Sequence, residues 1–152
     1  MSLEEYRKKR RFDETPEPSG KKKETATSRF VVHKHDASHL HYDFRLEMDG
    51  VLRSWAVPKG PPEAPGERRL AVHVEDHPLD YITFHGTIPE GQYGAGTVEI
   101  WDKGTYVLEK DSPKEIAFTL KGKKLAGPYV LVNFKGDKNW LMLKRQPKAE
   151  KE

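Results

Sequence analysis

There is no cysteine in this chain, which excludes disulfide bridges and thiolate metal sites. No apolar run approaches the ~20 residues that a membrane-spanning helix needs, and the N-terminus lacks the apolar core of a signal peptide. Apolar residues make up 35% of the 152 and charged residues 34%, so there is material for one modest core and not for two. No Gly-Lys-Ser/Thr follows the glycine-rich Gly91-Gln92-Tyr93-Gly94-Ala95-Gly96, and a strand pattern comes next, so a phosphate-binding loop at a helix start is excluded. These absences predict a soluble, cytoplasmic, single-domain protein with no membrane partner. Nothing in the pattern calls for more than a monomer.

Positive charge is concentrated rather than large. The net charge is +3, but Arg7-Lys8-Lys9-Arg10-Arg11 and Lys21-Lys22-Lys23 crowd the first 28 residues. That clustering favours an anionic partner such as nucleic acid over what the net charge alone implies. Segments so poor in apolar residues offset little ordering entropy. The reading is therefore a partly disordered basic arm over 1–28, with a helical turn or two within Leu3 to Arg11. A folded domain over 29–146 and a short tail over 147–152 follow.

Within that domain almost every element reads as a short strand between turn residues. The strand segments are 29–32, 40–48, 51–57, 69–75, 81–84, 97–101, 105–108, 116–120, 129–134 and 139–143. Asp49-Gly50 and Asp102-Lys103-Gly104 read as hairpin turns. Short segments at this regular spacing predict an all-β fold, a single small β-barrel of about eight strands with short flanking helical turns.

Chemistry gathers between His33 and Arg45, where four of the seven histidines stand with Asp36, Asp43 and Arg45. From His41 to Leu46 the pattern alternates, and strand side chains alternate faces. His41, Asp43 and Arg45 therefore share one face, with Tyr42, Phe44 and Leu46 on the other. His41 and Asp43 can reach one ion, and His35 keeps the same parity. Two imidazoles and a carboxylate suit Mn²⁺, Zn²⁺ or Fe²⁺. On spacing alone His33 and His39 compete as ligands. Arg45 can fork onto phosphate oxygens, and Lys59, Arg69 and His77 are further anion-binding candidates. His77, before Pro78, can also serve as a general acid.

These motifs together resemble one family, the 3'-phosphoesterase domain of bacterial ligase D, which heals ends in non-homologous end joining. The resemblance is carried by Phe30 to Glu47, by Trp55 to Pro61, by Val74 to Tyr81 and by Ile88 to Gly96, in that order. The arm segment Lys9 to Pro18 also resembles the family's arm motif, with Arg10 and Glu17 matching and Arg11 standing where the family has Asp. The resemblance implies a Mn²⁺-dependent enzyme on a small β-barrel. That enzyme removes a terminal 3'-ribonucleoside from a DNA or RNA end and then the 3'-phosphate. It implies His35, His41 and Asp43 as metal ligands, with His33 and His39 outside the ligand set. It further implies Arg45, His77 and Arg69 on the phosphate, Lys59 and Tyr81 close by, and Arg10 and Glu17 as contributors from the arm. With no polymerase or ligase domain after it, the chain reads as a stand-alone version, partnered by a separate ligase or end-joining factor. Two other readings use the same residues: a non-catalytic module that grips DNA ends, and a cupin-like metalloenzyme on a small molecule.

Overall fold

The computed structural model describes residues 3–10, 17 and 28–146. The expectations for the rest of the arm and for the tail fall outside them. Nine strands follow a short helix, α1 (Glu4–Lys8): β1 (Arg29–Asp36), β2 (Leu40–Met48), β3 (Val51–Val57), β4 (Arg68–His77), β5 (Gly86–Ile88), β6 (Gly96–Asp111), β7 (Glu115–Gly122), β8 (Ala126–Lys135) and β9 (Asn139–Lys144). Eight of them close an antiparallel barrel in the order β1-β2-β3-β4-β9-β8-β7-β6, with β6 pairing back onto β1 and β5 added to the edge of β6. The expected small β-barrel is what forms.

Alternation decides which side chains fill it. Phe30, Val32, Phe44, Leu46 and Trp55 meet Phe118, Tyr129, Leu131 and Trp140 in the barrel core. Asp49 (φ 54°) and Gly50 (φ 80°) turn β2 into β3 in two residues, the left-handed pair that matches strand twist.

Two expectations fail, each for a local reason. Residues 81–84 are not a strand. Leu79–Thr83 form a 3-10 turn, with the Tyr81 amide bonded to the Pro78 carbonyl and the Phe84 amide to that of Tyr81. Nor is there a hairpin at 102–104, because β6 runs straight through. Asp102 instead spends its carboxylate on the amides of Lys123, Lys124 and Leu125 at 2.8–3.1 Å, capping the next turn. Gly104 is needed for close approach, since a Cβ there would collide with the Lys121 carbonyl.

A second, smaller apolar cluster sits on the outer wall. Val31 and Leu52 point outward and are roofed by Leu79, Tyr81 and Ile82 of the 3-10 turn and by Tyr6 of α1. Tyr6 has no exposed surface, although the charged arm gives no sequence hint of it. Its ring lies edge-on to His77 (4.8 Å) and Tyr81 (6.0 Å). Tyr6→Ala is expected to destabilise the protein by about 3 kcal/mol, the typical cost of truncating a buried aromatic. Thermal denaturation would show this.

Candidate active site

The β1–β2 hairpin sets His35 opposite His41, His33 opposite Asp43 and Val31 opposite Arg45. Opposed residues of an antiparallel pair share a face. Phe44 and Leu46 take the interior, so all five polar side chains stand on the outer wall beside the second cluster. One donor atom each from His35, His41 and Asp43 lies within 4.8 Å of the others, an arrangement able to hold a metal ion.

The backbone fixes which nitrogens are offered. His35 Nε2 is 2.7 Å from the Gly94 carbonyl and His41 Nδ1 is 3.1 Å from that of His39. A carbonyl only accepts, so those nitrogens carry the protons and leave His35 Nδ1 and His41 Nε2 bare. The bare nitrogens face Asp43 at 3.6 and 3.4 Å. This is the outer support that ligating histidines ordinarily have. Burial pushes the Asp43 carboxyl upward, but the Arg45 guanidinium beside it outweighs this and holds the pKa well below the usual range. The group is an anion at working pH.

Arg45 is buried and fully aimed. Its Nε donates to His33 Nδ1 (3.0 Å), its Nη1 to Ser54 Oγ (2.8 Å), and its Nη2 lies 3.4 Å from Asp43. His33 completes the chain by donating from Nε2 to the Phe84 carbonyl at 3.0 Å. Burial and the adjacent guanidinium depress its pKa to about 3, so it stays a neutral acceptor. His33 thus supports Arg45 and takes no place among the ligands, and spacing could not distinguish these roles. Losing a buried hydrogen bond to a charged group costs about 1.5–3 kcal/mol. If that loss falls on the transition state, His33→Leu lowers turnover by about tenfold or more. His33→Gln, which keeps an acceptor and a donor, is expected to retain most activity in the same assay.

His77, at the end of β4, closes the cleft opposite the ligand cluster. Its Nδ1 is 3.0 Å from the Glu75 carbonyl and 3.1 Å from Arg45 Nη1, and its Nε2 is 3.4 Å from Arg10 Nη2. Burial first, then Arg45 and Arg10, hold its pKa well below the ordinary value. Arg10 reaches in from the arm on a ladder of acceptors. Its Nε donates to Glu17 (2.8 Å) and its Nη1 to Glu75 (3.2 Å), while its guanidinium lies 4.0 Å from the centre of the Tyr6 ring. The Tyr81 hydroxyl donates to the same Glu17 oxygen at 2.8 Å. The resulting cleft of about 320 Å³ is lined by His35, His41, Asp43, Arg45, His77, Tyr81, Arg10 and Glu17.

Three candidates stay outside it. Arg69 shares the parity of Ala71, whose side chain is in the barrel core, so it points to the other side of the sheet. Its contacts are with Arg68 and Glu67. Lys59 is exposed in the turn after β3 and does not line the cleft. His39 is exposed and offers His41 only its carbonyl. Sequence reading missed Ser54 and the Glu75 carboxylate as partners of the two arginines. Neither type stands out until β3 and β4 are placed side by side.

A family model described as DNA Ligase D 3'-phosphoesterase domain matches residues 33–133. The multifunctional non-homologous end joining protein LigD of Pseudomonas aeruginosa is 52% identical over 154 residues, a match covering 93% of this chain and 18% of that protein. The protein of the same description from Mycolicibacterium smegmatis is 51% identical over 152 residues, covering 91% of this chain and 20% of that protein. The multifunctional non-homologous end joining DNA repair protein LigD of Mycobacterium tuberculosis is 49% identical over 145 residues, at 91% and 19%. The chain spans about a fifth of the length of these curated relatives.

Proposed function

The chain belongs to the DNA ligase D 3'-phosphoesterase family, and from that premise we propose that it clears blocked 3' ends of DNA or RNA for end-joining repair. In the first step water adds to phosphorus and the phosphorus–O5′ bond breaks. The terminal ribonucleoside leaves as its 5′-alcohol and a 3'-phosphate remains. In the second, water displaces the 3'-oxygen, giving a 3'-OH and inorganic phosphate. A separate ligase or end-joining factor would use that 3'-OH.

The observation that carries this reading is the meeting of His35, His41 and Asp43 with Arg45, Arg10 and His77 in one cleft. Two bare imidazole nitrogens beside a buried carboxylate fit a divalent transition ion. His35 Nδ1, His41 Nε2 and Asp43 would hold Mn²⁺, which would supply Lewis-acid chemistry and a more acidic water. Arg45 arrives already oriented, so its charge is available to the developing phosphoryl charge without reorganisation. Arg10 brings a second guanidinium to His77 and is kept in place by Glu17, Tyr81 and Glu75. His77 is neutral while two guanidiniums face it, and a bound phosphate dianion reverses that local balance. It can then carry the proton that the leaving oxygen needs. Arg69 has no role in this scheme, and Lys59 at most neighbours the rim.

The test is a labelled primer-template ending in one 3'-ribonucleotide, incubated with the protein and Mn²⁺. The expected result is conversion to a 3'-phosphate and then a 3'-OH, lost in His41→Ala and in chelator. Tight duplex binding with no conversion would overturn the catalytic reading in favour of a non-catalytic end-binding module.

A further inference from the structure

The loop between β5 and β6 gives the site one carbonyl. Gly94 accepts from His35 Nε2 at 2.7 Å, and that bond decides which imidazole nitrogen is left for a metal. Such a bond orients the ring as well as fixing its tautomer. The loop's own shape places the carbonyl. The Gln92 amide donates to Pro89 and the Ala95 amide to Gln92, at 3.2 and 3.1 Å. Gly94 stands at φ 77°, a left-handed conformation that glycine adopts without strain. At Gly96 a Cβ would collide with the Asp36 carbonyl, so the loop's far end is pressed onto the end of β1.

The residue before Gly94 turns to the arm. Tyr93 is 49% exposed, and its hydrogen-bond and cation–π partners among the described residues are Lys9 and Arg10. Lys9 Nζ lies 3.4 Å from the Tyr93 hydroxyl and 4.6 Å from the ring centre, and the Arg10 guanidinium is 5.3 Å from that centre. Lys9 also donates to Glu75 at 3.3 Å, the carboxylate that holds Arg10. The arm is fastened at buried Tyr6 and at Arg10, and the loop is fastened to the arm through Tyr93. Contact therefore runs from the arm to Tyr93, one residue along the backbone to Gly94, and on to His35.

Resting on the metal site of the proposed function, we propose that Tyr93 is a positioning residue that couples seating of the basic arm to metal affinity. The arm steadies the Gly94 carbonyl, and through it the His35 imidazole, while contributing no ligand. Binding couplings are reciprocal, so a bound ion holds the arm down in turn. The sign distinguishes this from bare electrostatics. Lys9 is a cation near a site for a dication, so charge repulsion alone predicts tighter metal binding when it is removed. The coupling predicts weaker binding.

Mn²⁺ affinity, read from the free ion by electron paramagnetic resonance, tests the link without substrate. Tyr93→Ala is expected to weaken binding about fivefold, less than the loss of a direct outer partner of a ligand. Tyr93→Phe keeps the ring and should stay close to the parent. Lys9→Ala should weaken binding about threefold. The two residues share a contact, so the double variant should lose less than the product of the single losses. Trypsin supplies the reciprocal measure, because cleavage after Lys9 and Arg10 follows the population of unseated arm. Saturating Mn²⁺ should slow that cleavage about fivefold in the parent and leave it unchanged in Tyr93→Ala.

Unchanged Mn²⁺ affinity in Tyr93→Ala, tighter binding in Lys9→Ala, or fully multiplicative losses in the double variant would overturn the link and leave the metal site standing. A parent that binds no Mn²⁺ would overturn the metal site, and the link with it. Neither readout needs turnover, so a protein that binds the ion but fails on 3' ends would defeat the proposed reaction and still decide the link.

Discussion

Asp43→Asn is expected to lower turnover by about 10³-fold or more and to weaken Mn²⁺ binding by more than about 100-fold. Loss of an outer partner of a metal ligand already costs about 10–100-fold, and Asp43 is the only carboxylate facing both bare imidazole nitrogens among the described residues. The substitution is nearly isosteric, so the β1–β2 pairing should survive. It also removes the anion that faces Arg45 Nη2. Metal affinity read from the fraction of free Mn²⁺, alongside turnover of a 3'-phosphate primer, checks both halves. A variant that turns over normally while binding no metal would remove the cluster from the reaction.

Arg45→Ala should separate charge stabilisation from metal binding. The guanidinium makes no contact with either ligand imidazole, so Mn²⁺ should still bind. Turnover should fall by about 10²–10³-fold, the usual cost of deleting a preorganised group aimed at developing charge. Both steps act on the same phosphoryl group, so both should fall together. Arg45→Lys is not expected to restore them, because a point charge cannot reach His33, Ser54 and Asp43 at once. The fold is under strain in this variant, since Asp43 is left without its cation in a buried site. A melting curve belongs with the kinetics. Near-normal turnover in a folded Arg45→Ala would exclude Arg45 from the mechanism.

Alternation carried the strand that bears the ligands. The apolar and polar residues of His41 to Leu46 sort onto the two faces as the period of two requires, and Asp49-Gly50 fixes β2 and β3 to the residue. The same rule was blind to what lies between strands. Tyr81-Ile82-Thr83-Phe84 has strand-like composition, yet bonds three residues apart close it into a 3-10 turn. Asp102-Lys103-Gly104 has hairpin composition, yet the carboxylate caps a neighbouring turn and the glycine clears a neighbouring backbone. Both are tertiary choices. The site shows the same division. His35, His41, Asp43 and Arg45 come from one hairpin and could be grouped from spacing. Arg10, Glu17, His77 and Tyr81 are brought in from the arm, β4 and the 3-10 turn, and only the family resemblance could assemble them. That resemblance also nominated Arg69, which strand parity turns toward the core side of the sheet.

The order in which the barrel closes has a kinetic consequence. His35 and His41 are joined by a short turn, and such hairpins form in about 1–10 μs. The seams that seal the barrel pair Arg29 with Thr105 and Ala71 with Trp140, contacts distant in sequence that slow all-β folding to about milliseconds to seconds. The ligand hairpin can exist before the wall that supplies His77 and the roof that supplies Arg10. Refolding protein should therefore regain affinity for Mn²⁺ earlier than it regains turnover, with a chain caught between the two able to hold the ion but not to use it.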